Sequence, residues 1–255
     1  MQKTKSVIYE TTGRAREYCQ LAINLYSGCA HGCLYCSSPL VLHQARLAFR
    51  DVVKPRVTPA DIQISAAFKE GETRPVLLCF TTDPLQPIEA KLELTRTAIK
   101  ILHGYDFTFS ILTKAGALAQ RDFDLYLPYD SFGTTLTFLN REKSLHWEPG
   151  AALPEERIAN LMEAKKQGIP TWVSLEPVIE PMETIAVVEA THQWVDHYKV
   201  GKLNYHPEAA KIDWADFAKM AMATLRKHEK GFYIKRDLSS YLGMPGGYKE
   251  GKQLP

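Results

Sequence analysis

Three thiols in one short stretch, Cys29, Cys33 and Cys36, are the residues whose type and spacing specify chemistry most directly. They stand as C-x3-C-x2-C between Asn24 and Pro39, with Gly28 and Gly32 giving the backbone freedom to wrap. Soft thiolates crowded this closely select zinc, Cu(I) or iron–sulfur over hard cations. The missing fourth ligand matters most. A 4Fe–4S cluster held by three cysteines keeps one iron open, and an open iron can chelate the amino and carboxylate groups of S-adenosylmethionine. An electron passed through that iron cleaves the sulfonium into methionine and a 5′-deoxyadenosyl radical, and the protein's task is to orient the cofactor. Two plainer readings stand beside this one. Zinc could take the three cysteines with His31, Cys19 or His43, although zinc knuckles usually come as two separated pairs. The thiols could also be buried small hydrophobes.

The elements that must position this loop follow from the hydrophobic pattern. Leu21 to Tyr26 is a β-prone run leading into the cysteines, and further strands are predicted over 75–80, 107–112, 131–138, 171–175 and 195–200. Between them the spacing predicts helices over 39–50, from Thr58, over 87–103 stopped by Gly104, and over 154–167, 183–191 and 213–230. Phe232 to Ile234 reads as a short extra strand. Strands alternating with helices imply right-handed parallel βαβ units that curl toward a barrel. The expected fold class is therefore α/β, a partial (β/α)6 TIM-like barrel with the cluster loop after its first strand. Polar residues at the C-terminal strand ends, Thr82/Asp83, Lys114, Glu176 and Lys199/Lys202, should converge on its mouth. Residues 1–20 read as an N-terminal leader, 21–235 as the barrel domain and 236–255 as a tail.

Composition narrows the class. The chain has 255 residues, 45% of them apolar, enough for a substantial core. Its five cysteines are an odd number, which argues against a secreted disulfide framework. Met1 to Tyr9 is polar, without a signal-peptide pattern, and no apolar run reaches membrane-span length. A cytoplasmic protein with no membrane partner is expected. Residues 1–56 carry eight Lys/Arg against three Asp/Glu and residues 226–255 seven against three, so both ends are basic although the whole chain is only +2. Basic ends suit a phosphate-rich partner, and also an ordinary solvated surface.

Six motifs in one order carry a resemblance. They are Asn24-Leu-Tyr-x-Gly-Cys-x-His-Gly-Cys-x-Tyr-Cys36, Thr81-Thr-Asp-Pro-x-Gln-Pro-x-Glu89, Leu94-Thr-Arg96, Leu112-Thr-Lys114, Arg121-Asp-x-Asp-Leu125 and Ser174-Leu-Glu-Pro177. Over about residues 20–180 the chain resembles the radical S-adenosylmethionine (radical SAM) superfamily, in its spore photoproduct lyase, or DNA-repair-photolyase-like, branch. The resemblance implies a 4Fe–4S cluster on Cys29, Cys33 and Cys36, and S-adenosylmethionine contacted by Tyr35, Thr82, Asp83, Lys114 and Thr135. It also implies an external electron donor of the flavodoxin or ferredoxin type, and hydrogen abstraction from a nucleobase or nucleic acid. The same radical chemistry on a small metabolite or peptide, and a non-catalytic metal-stabilised nucleic-acid-binding module, are the alternatives. Glu176 is the candidate catalytic carboxylate, with a turn-organising role as its plainer reading. The sequence also departs from the branch, which the resemblance implies has a hydrogen-donating cysteine just before its Thr-Ser-Asp and an aromatic after the last cluster cysteine. Phe80 and Ser37 stand there. Cys79 is one residue early, and strand alternation predicts that its sulfur turns away from the cavity into the core.

Overall fold

A computed structural model describes residues 6–254. Eleven strands run in chain order: β1 (Tyr9–Glu10), β2 (Leu21–Ile23), β3 (Tyr26–Ser27), β4 (Lys54–Pro55), β5 (Val76–Leu78), β6 (Phe109–Thr113), β7 (Ser131–Thr135), β8 (Thr171–Val178), β9 (His197–Lys202), β10 (Gly231–Ile234) and β11 (Tyr248–Glu250). Nine form one sheet in the order β1-β2-β5-β6-β7-β8-β9-β10-β11, and β3 pairs with β4 apart from it. From β2 to β10 every neighbouring pair is parallel. β1 and β11 close the two edges in antiparallel sense. This is the expected partial barrel, its six predicted strands followed by β10 as a further parallel strand.

Each parallel strand sorts its side chains by the period of two. Val76, Leu78, Phe109, Ile111, Phe132, Val173, Leu175, Tyr198, Val200, Phe232 and Ile234 belong to the main apolar core. Their neighbours Ser110, Ser131, Trp172, Lys199, Glu176 and Tyr233 line cavities inside the curl. Burial of the first set beneath the helices drives folding, at about 1.5–3 kcal/mol for each large apolar side chain. The second set is left for chemistry.

The helices mostly start where the sequence caps them. Thr58 and Asp61 form a capping box at the helix Pro59–Ala67, and Asp213 accepts from the Asp216 N–H at the helix Trp214–Lys227. Two predicted helices are broken. The run 39–50 is two short helices, Ser38–Val41 and Arg46–Asp51, and 87–103 is interrupted at Glu93, which has φ +49°. That break rotates the buried face, so Leu94 and Ala98 are buried while Leu92 stays exposed. The ends are also more structured than a leader and a tail. Tyr9–Glu10 pairs with β2, and Tyr248–Glu250 pairs with β10 and holds Arg226 through Glu250 at 2.6 Å. No helix among the described residues is long and apolar enough to cross a membrane.

Candidate active site

The cysteine loop is held from three sides by backbone and buried side chains. Cys29 N–H donates to the Phe49 carbonyl at 2.8 Å, and a Cβ on Gly28 would lie 2.4 Å from the Val52 carbonyl oxygen, so only glycine fits there. Gln86, fully buried, accepts from Ala30 N–H at 2.9 Å and donates to the Gly28 carbonyl at 3.2 Å. On the third side Arg46 donates to the carbonyls of Cys33 and Cys36. Gly150 N–H donates to the His31 carbonyl at 2.9 Å.

His31 and Asp83 fasten this loop to the ends of β5 and β6. His31 Nδ1 donates to the Gly150 carbonyl at 2.9 Å, and its Nε2 lies 3.0 Å from Asp83 Oδ2. That second approach is short but lacks hydrogen-bond alignment. Asp83 also accepts from Leu85 N–H, the Thr113 hydroxyl and Lys114 N–H, at 2.7–2.8 Å. Burial pushes its carboxyl up, but the His31 charge and these donors outweigh that and hold it at about 2. With three of its roughly four acceptor sites taken by the protein, Asp83 positions the loop. The sequence had suggested it for the ammonium group of the cofactor, and Asp83 lines the same cavity as the thiols.

The groups that remain unpaired lie elsewhere on the same cavity. Cys29, Cys33, Cys36, Tyr35, Thr81, Thr82, Lys114 and Thr135 all line it. The hydroxyls of Thr81 and Thr82 are buried without a partner. Among the described residues Lys114 Nζ makes no hydrogen bond and lies 5.7 Å from the centre of the Tyr35 ring. Burial lowers its pKa, while Cys33 and Glu148 raise it more, so the ammonium stays charged. Desolvation, with Asp83 adding to it, pushes the Cys29 thiol up to about 12, and desolvation also pushes Cys33 to about 12 despite Lys114. Metal binding would displace those protons. Thiols, orphaned hydroxyls and a free ammonium around one cavity fit a sulfur-ligated cluster with a polar, zwitterionic cofactor beside it.

The sequence comparison now decides the family. The Radical SAM superfamily matches residues 23–195, most of the chain. The protein is a member of the radical SAM superfamily. Its cofactors are a 4Fe–4S cluster and S-adenosylmethionine. Among solved structures, a spore photoproduct lyase variant with dinucleoside spore photoproduct is 16% identical, with TM-score 0.67, covering 89% of this chain and 76% of that one. Streptococcus suis SuiB bound to S-adenosylmethionine is 14% identical, with TM-score 0.63, covering 86% of this chain and 51% of that one. At such identity the likeness shows the fold. Comparison with curated protein sequences gives no match.

Several residues of this radical SAM site were not singled out by the sequence. Glu148, fully enclosed, takes the Tyr35 hydroxyl and lies 2.6 Å from Arg157 Nη2, an ion pair close in distance but poorly aligned. Burial pushes Glu148 up, and the charges of Arg157 and Lys114 bring it back below the usual carboxylate range. Arg157 also donates to the carbonyls of Ala152 and Thr135. The Tyr35 ring is thus fixed through its hydroxyl. An Arg on the buried face of the predicted helix 154–167 was the one available signal, since a buried guanidinium needs a carboxylate.

Glu176 borders a larger adjoining cavity of about 220 Å³, which Tyr35, Lys114 and Thr135 also line. Its carboxylate accepts from the Tyr18 hydroxyl and from Lys235, which is 3% exposed. Gly201 is required beside it, because a Cβ there would lie 2.6 Å from Glu176 Cδ. Lys202 reaches this cavity, but Lys199 does not. Lys199 lines a separate cavity of about 210 Å³ with Ser110, Ser131, Trp172 and His197, and donates to the Tyr18 carbonyl at 2.6 Å. β9 runs on to Lys202, so Lys199 lies mid-strand rather than at the mouth. Tyr18 borders both cavities and divides them.

Cys79 is 3% exposed, and its sulfur accepts from Leu25 N–H at 3.3 Å, yet the residue also borders both the thiol-lined cavity and the adjoining one, which the expectation of a core-facing thiol did not include. Strand alternation is not the reason for that burial. β5 ends at Leu78, and Cys79 has φ +64°, so its direction is set by the turn. Phe80 is 36% exposed at the mouth, its ring 5.8 Å from that of Tyr18.

Proposed function

We propose that this radical SAM protein abstracts hydrogen from a nucleobase or nucleic-acid substrate, with residues 21–235 carrying the machinery. The observation behind the site assignment is the convergence of three thiols, Cys33 buried and Cys29 and Cys36 half-buried, with Lys114, Thr81 and Thr82, whose side chains are unpaired among the described residues, on one cavity. Cys29, Cys33 and Cys36 would hold the cluster. Bound there, cluster and cofactor supply the electron and the 5′-deoxyadenosyl radical. Lys114 meets the cofactor's carboxylate by a charge-assisted hydrogen bond, and the Thr82 hydroxyl accepts from its ammonium. Tyr35, clamped by Glu148, offers its ring to the adenine, and Thr135 offers a hydroxyl to the ribose. Asp83 and His31 fix the distance between loop and strand ends.

The adjoining cavity bordered by Phe80, Tyr18, Glu176 and Lys202 is where the substrate would sit. Aromatic rings beside cations suit a stacked base with a phosphate. The structural neighbours include a lyase with a dinucleoside spore photoproduct and SuiB with its precursor peptide SuiA, so a peptide is the second reading. An external one-electron donor is required, and the cytoplasm, which keeps thiols reduced, is the fitting compartment. Anaerobic reconstitution tests the reading: a brown protein should form 5′-deoxyadenosine, and deuterium should pass into it from labelled oligonucleotides. Deuterium transfer from peptide pools alone would replace the nucleic-acid substrate, and a colourless zinc protein would remove the radical chemistry.

A further inference from the structure

Both ends of the chain are basic, and the site at the mouth leaves most of that charge unused. The fold gathers part of it in one place. Residues 16–20 meet Lys249 and Gln253 around a cavity of about 210 Å³. Its other walls include Pro75, Ser110, Ser131, Trp172 and His197, which stand at the starts of the parallel strands β5 to β9. The cavity therefore lies at the end of the curl opposite the cysteine loop, and Tyr18 divides it from the cavity beside the thiols.

Groups at this end of a parallel barrel ordinarily serve stability. Lys199 is a poor choice for that task. Its ammonium lies 5.0 Å from the centre of the Trp172 ring and 5.4 Å from that of Tyr18, and it makes no ion pair among the described residues. It donates to the carbonyls of Tyr18 and Glu17 at 2.6 and 3.3 Å, which leaves one N–H over. Desolvation brings its pKa down to about 8, and the charges of Lys235 and Lys249 push the same way. An enclosed ammonium without a counter-ion costs stability unless a ligand supplies one.

The neighbouring charges do not supply it. Lys249, 5.7 Å from the centre of the Tyr233 ring, also makes no ion pair among the described residues. Arg16 and Arg74 share Glu10, and Arg74 takes Glu72 as well. Glu17 is committed to the Tyr233 hydroxyl, the Arg236 N–H and Lys235 at 4.0 Å. Ser110 accepts from Ser131 at 2.8 Å, so its own proton is left for a ligand. Two uncompensated ammoniums and a hydroxyl donor suit a divalent oxyanion. Trp172, Tyr18 and Pro75 add apolar surface for a small organic group beside it.

We propose that this cavity binds a phosphate group, free or carried by a small molecule, with Lys199, Lys249 and the Ser110 hydroxyl as donors. The inference stands apart from the radical SAM reading of the mouth, because none of these three residues borders the thiol-lined cavity.

Calorimetric titration of the reconstituted holoenzyme with inorganic phosphate, S-adenosylmethionine being present, is the test. Wild type should bind phosphate saturably, and more weakly as sodium chloride rises. Lys199→Met should weaken binding by about ten- to a hundredfold, as the loss of a hydrogen bond between charged groups does, and Lys249→Met, at the exposed rim, by less. Lys114→Met, in the thiol-lined cavity, should bind phosphate as wild type does. Phosphate should raise the melting temperature of wild type and leave that of Lys199→Met unchanged. Phenyl phosphate separates the two sources: tighter binding than inorganic phosphate indicates a phosphorylated small molecule, and equal or weaker binding the free ion. Absence of saturable binding, unchanged affinity in Lys199→Met, loss of affinity in Lys114→Met, or equal affinity for acetate at matched ionic strength overturns the proposal. If Lys199→Met does not fold, Ser110→Ala carries the test, with a several-fold loss expected.

Discussion

The two sides of the barrel mouth differ in how their polar groups are spent. On the side of β5 to β7, the side chains of Thr81, Thr82 and Lys114 have no hydrogen-bond partner among the described residues, beside three thiols. On the side of β8 to β10, Glu176, Lys235 and Tyr18 are joined by an ion pair and a hydrogen bond. Unpaired buried groups cost stability, and a fold keeps them where a ligand completes them. Saturated groups hold a shape. The first side is therefore the candidate for cofactor binding and the second for rigidity, and substitutions should separate the two.

The largest effect should come from the thiols. Cys33→Ala should abolish cluster assembly, since two thiolates cannot hold the unit, while Cys19→Ala should leave iron content unchanged. Cys19 donates to the Pro75 carbonyl and lines the lower cavity away from the loop. Iron analysis of the two reconstituted variants settles the point, and equal iron in both would sink the ligand assignment.

On the saturated side, Glu176→Ala removes the nearer carboxylate of the buried Lys235 and leaves Glu17 at 4.0 Å as its remaining partner, so it should cost about 1.5–3 kcal/mol of stability. Denaturant unfolding measures this beside cofactor affinity, which should hold in the folded fraction. A stable variant that binds cofactor but makes no product would instead make Glu176 a reacting group.

His197, at the start of β9 and away from the mouth, adds a pH dependence. Burial holds its imidazole down at about 4, and Lys199 adds to that, so it is neutral in the fold. The unfolded state takes up the proton near 6.5, so this contribution is present above pH 6.5 and lost as pH falls to about 4, a change on the order of 3 kcal/mol. Stability against pH in His197→Gln should be flatter across that window. An unchanged slope would mean that other groups carry it.

Across the mouth, Lys114→Met should weaken S-adenosylmethionine binding by about 1.5–3 kcal/mol with iron content intact. Asp83→Ala should behave differently and lower iron content too, because it releases His31 and the loop. Calorimetry and iron analysis on both variants sharpen the distinction between a ligand-binding group and a positioning one. If Asp83→Ala loses only cofactor affinity, its carboxylate reaches the ligand after all.

The smallest effect is expected at Cys79. Cys79→Ala removes a buried sulfur that accepts from Leu25 N–H and should cost about 1 kcal/mol, with turnover preserved. Product loss with the melting temperature held would instead identify a thiol hydrogen donor.

Much of the fold was readable from the chain because its signals are local. Buried strands such as Val76–Leu78 and Thr171–Val178 are runs of apolar and β-branched residues, and caps such as Thr58 and Asp213 lie beside the helices they start. The break at Glu93 was not visible, since a left-handed residue there follows from how Glu89 is held by Tyr26, Arg121 and Thr95 from distant segments. The cysteine triplet was legible for the same local reason, three ligands within one turn of loop.

What the sequence determined by itself was the element order, the parallel α/β class and the ligand loop, because periodicity and spacing act over a few residues. Only the tertiary structure decided which motif residues are paired to hold the loop and which stay unpaired among the described residues. Asp83, Gln86 and Glu89 stand in one motif, yet their side chains are turned to His31, to the backbone of Gly28 and Ala30, and to Tyr26 and Arg121. The Glu148–Arg157 pair that fixes Tyr35 likewise exists only once β7 and the following helices have packed. Partner choice among buried polar groups depends on contacts far apart in sequence, and no local pattern encodes it.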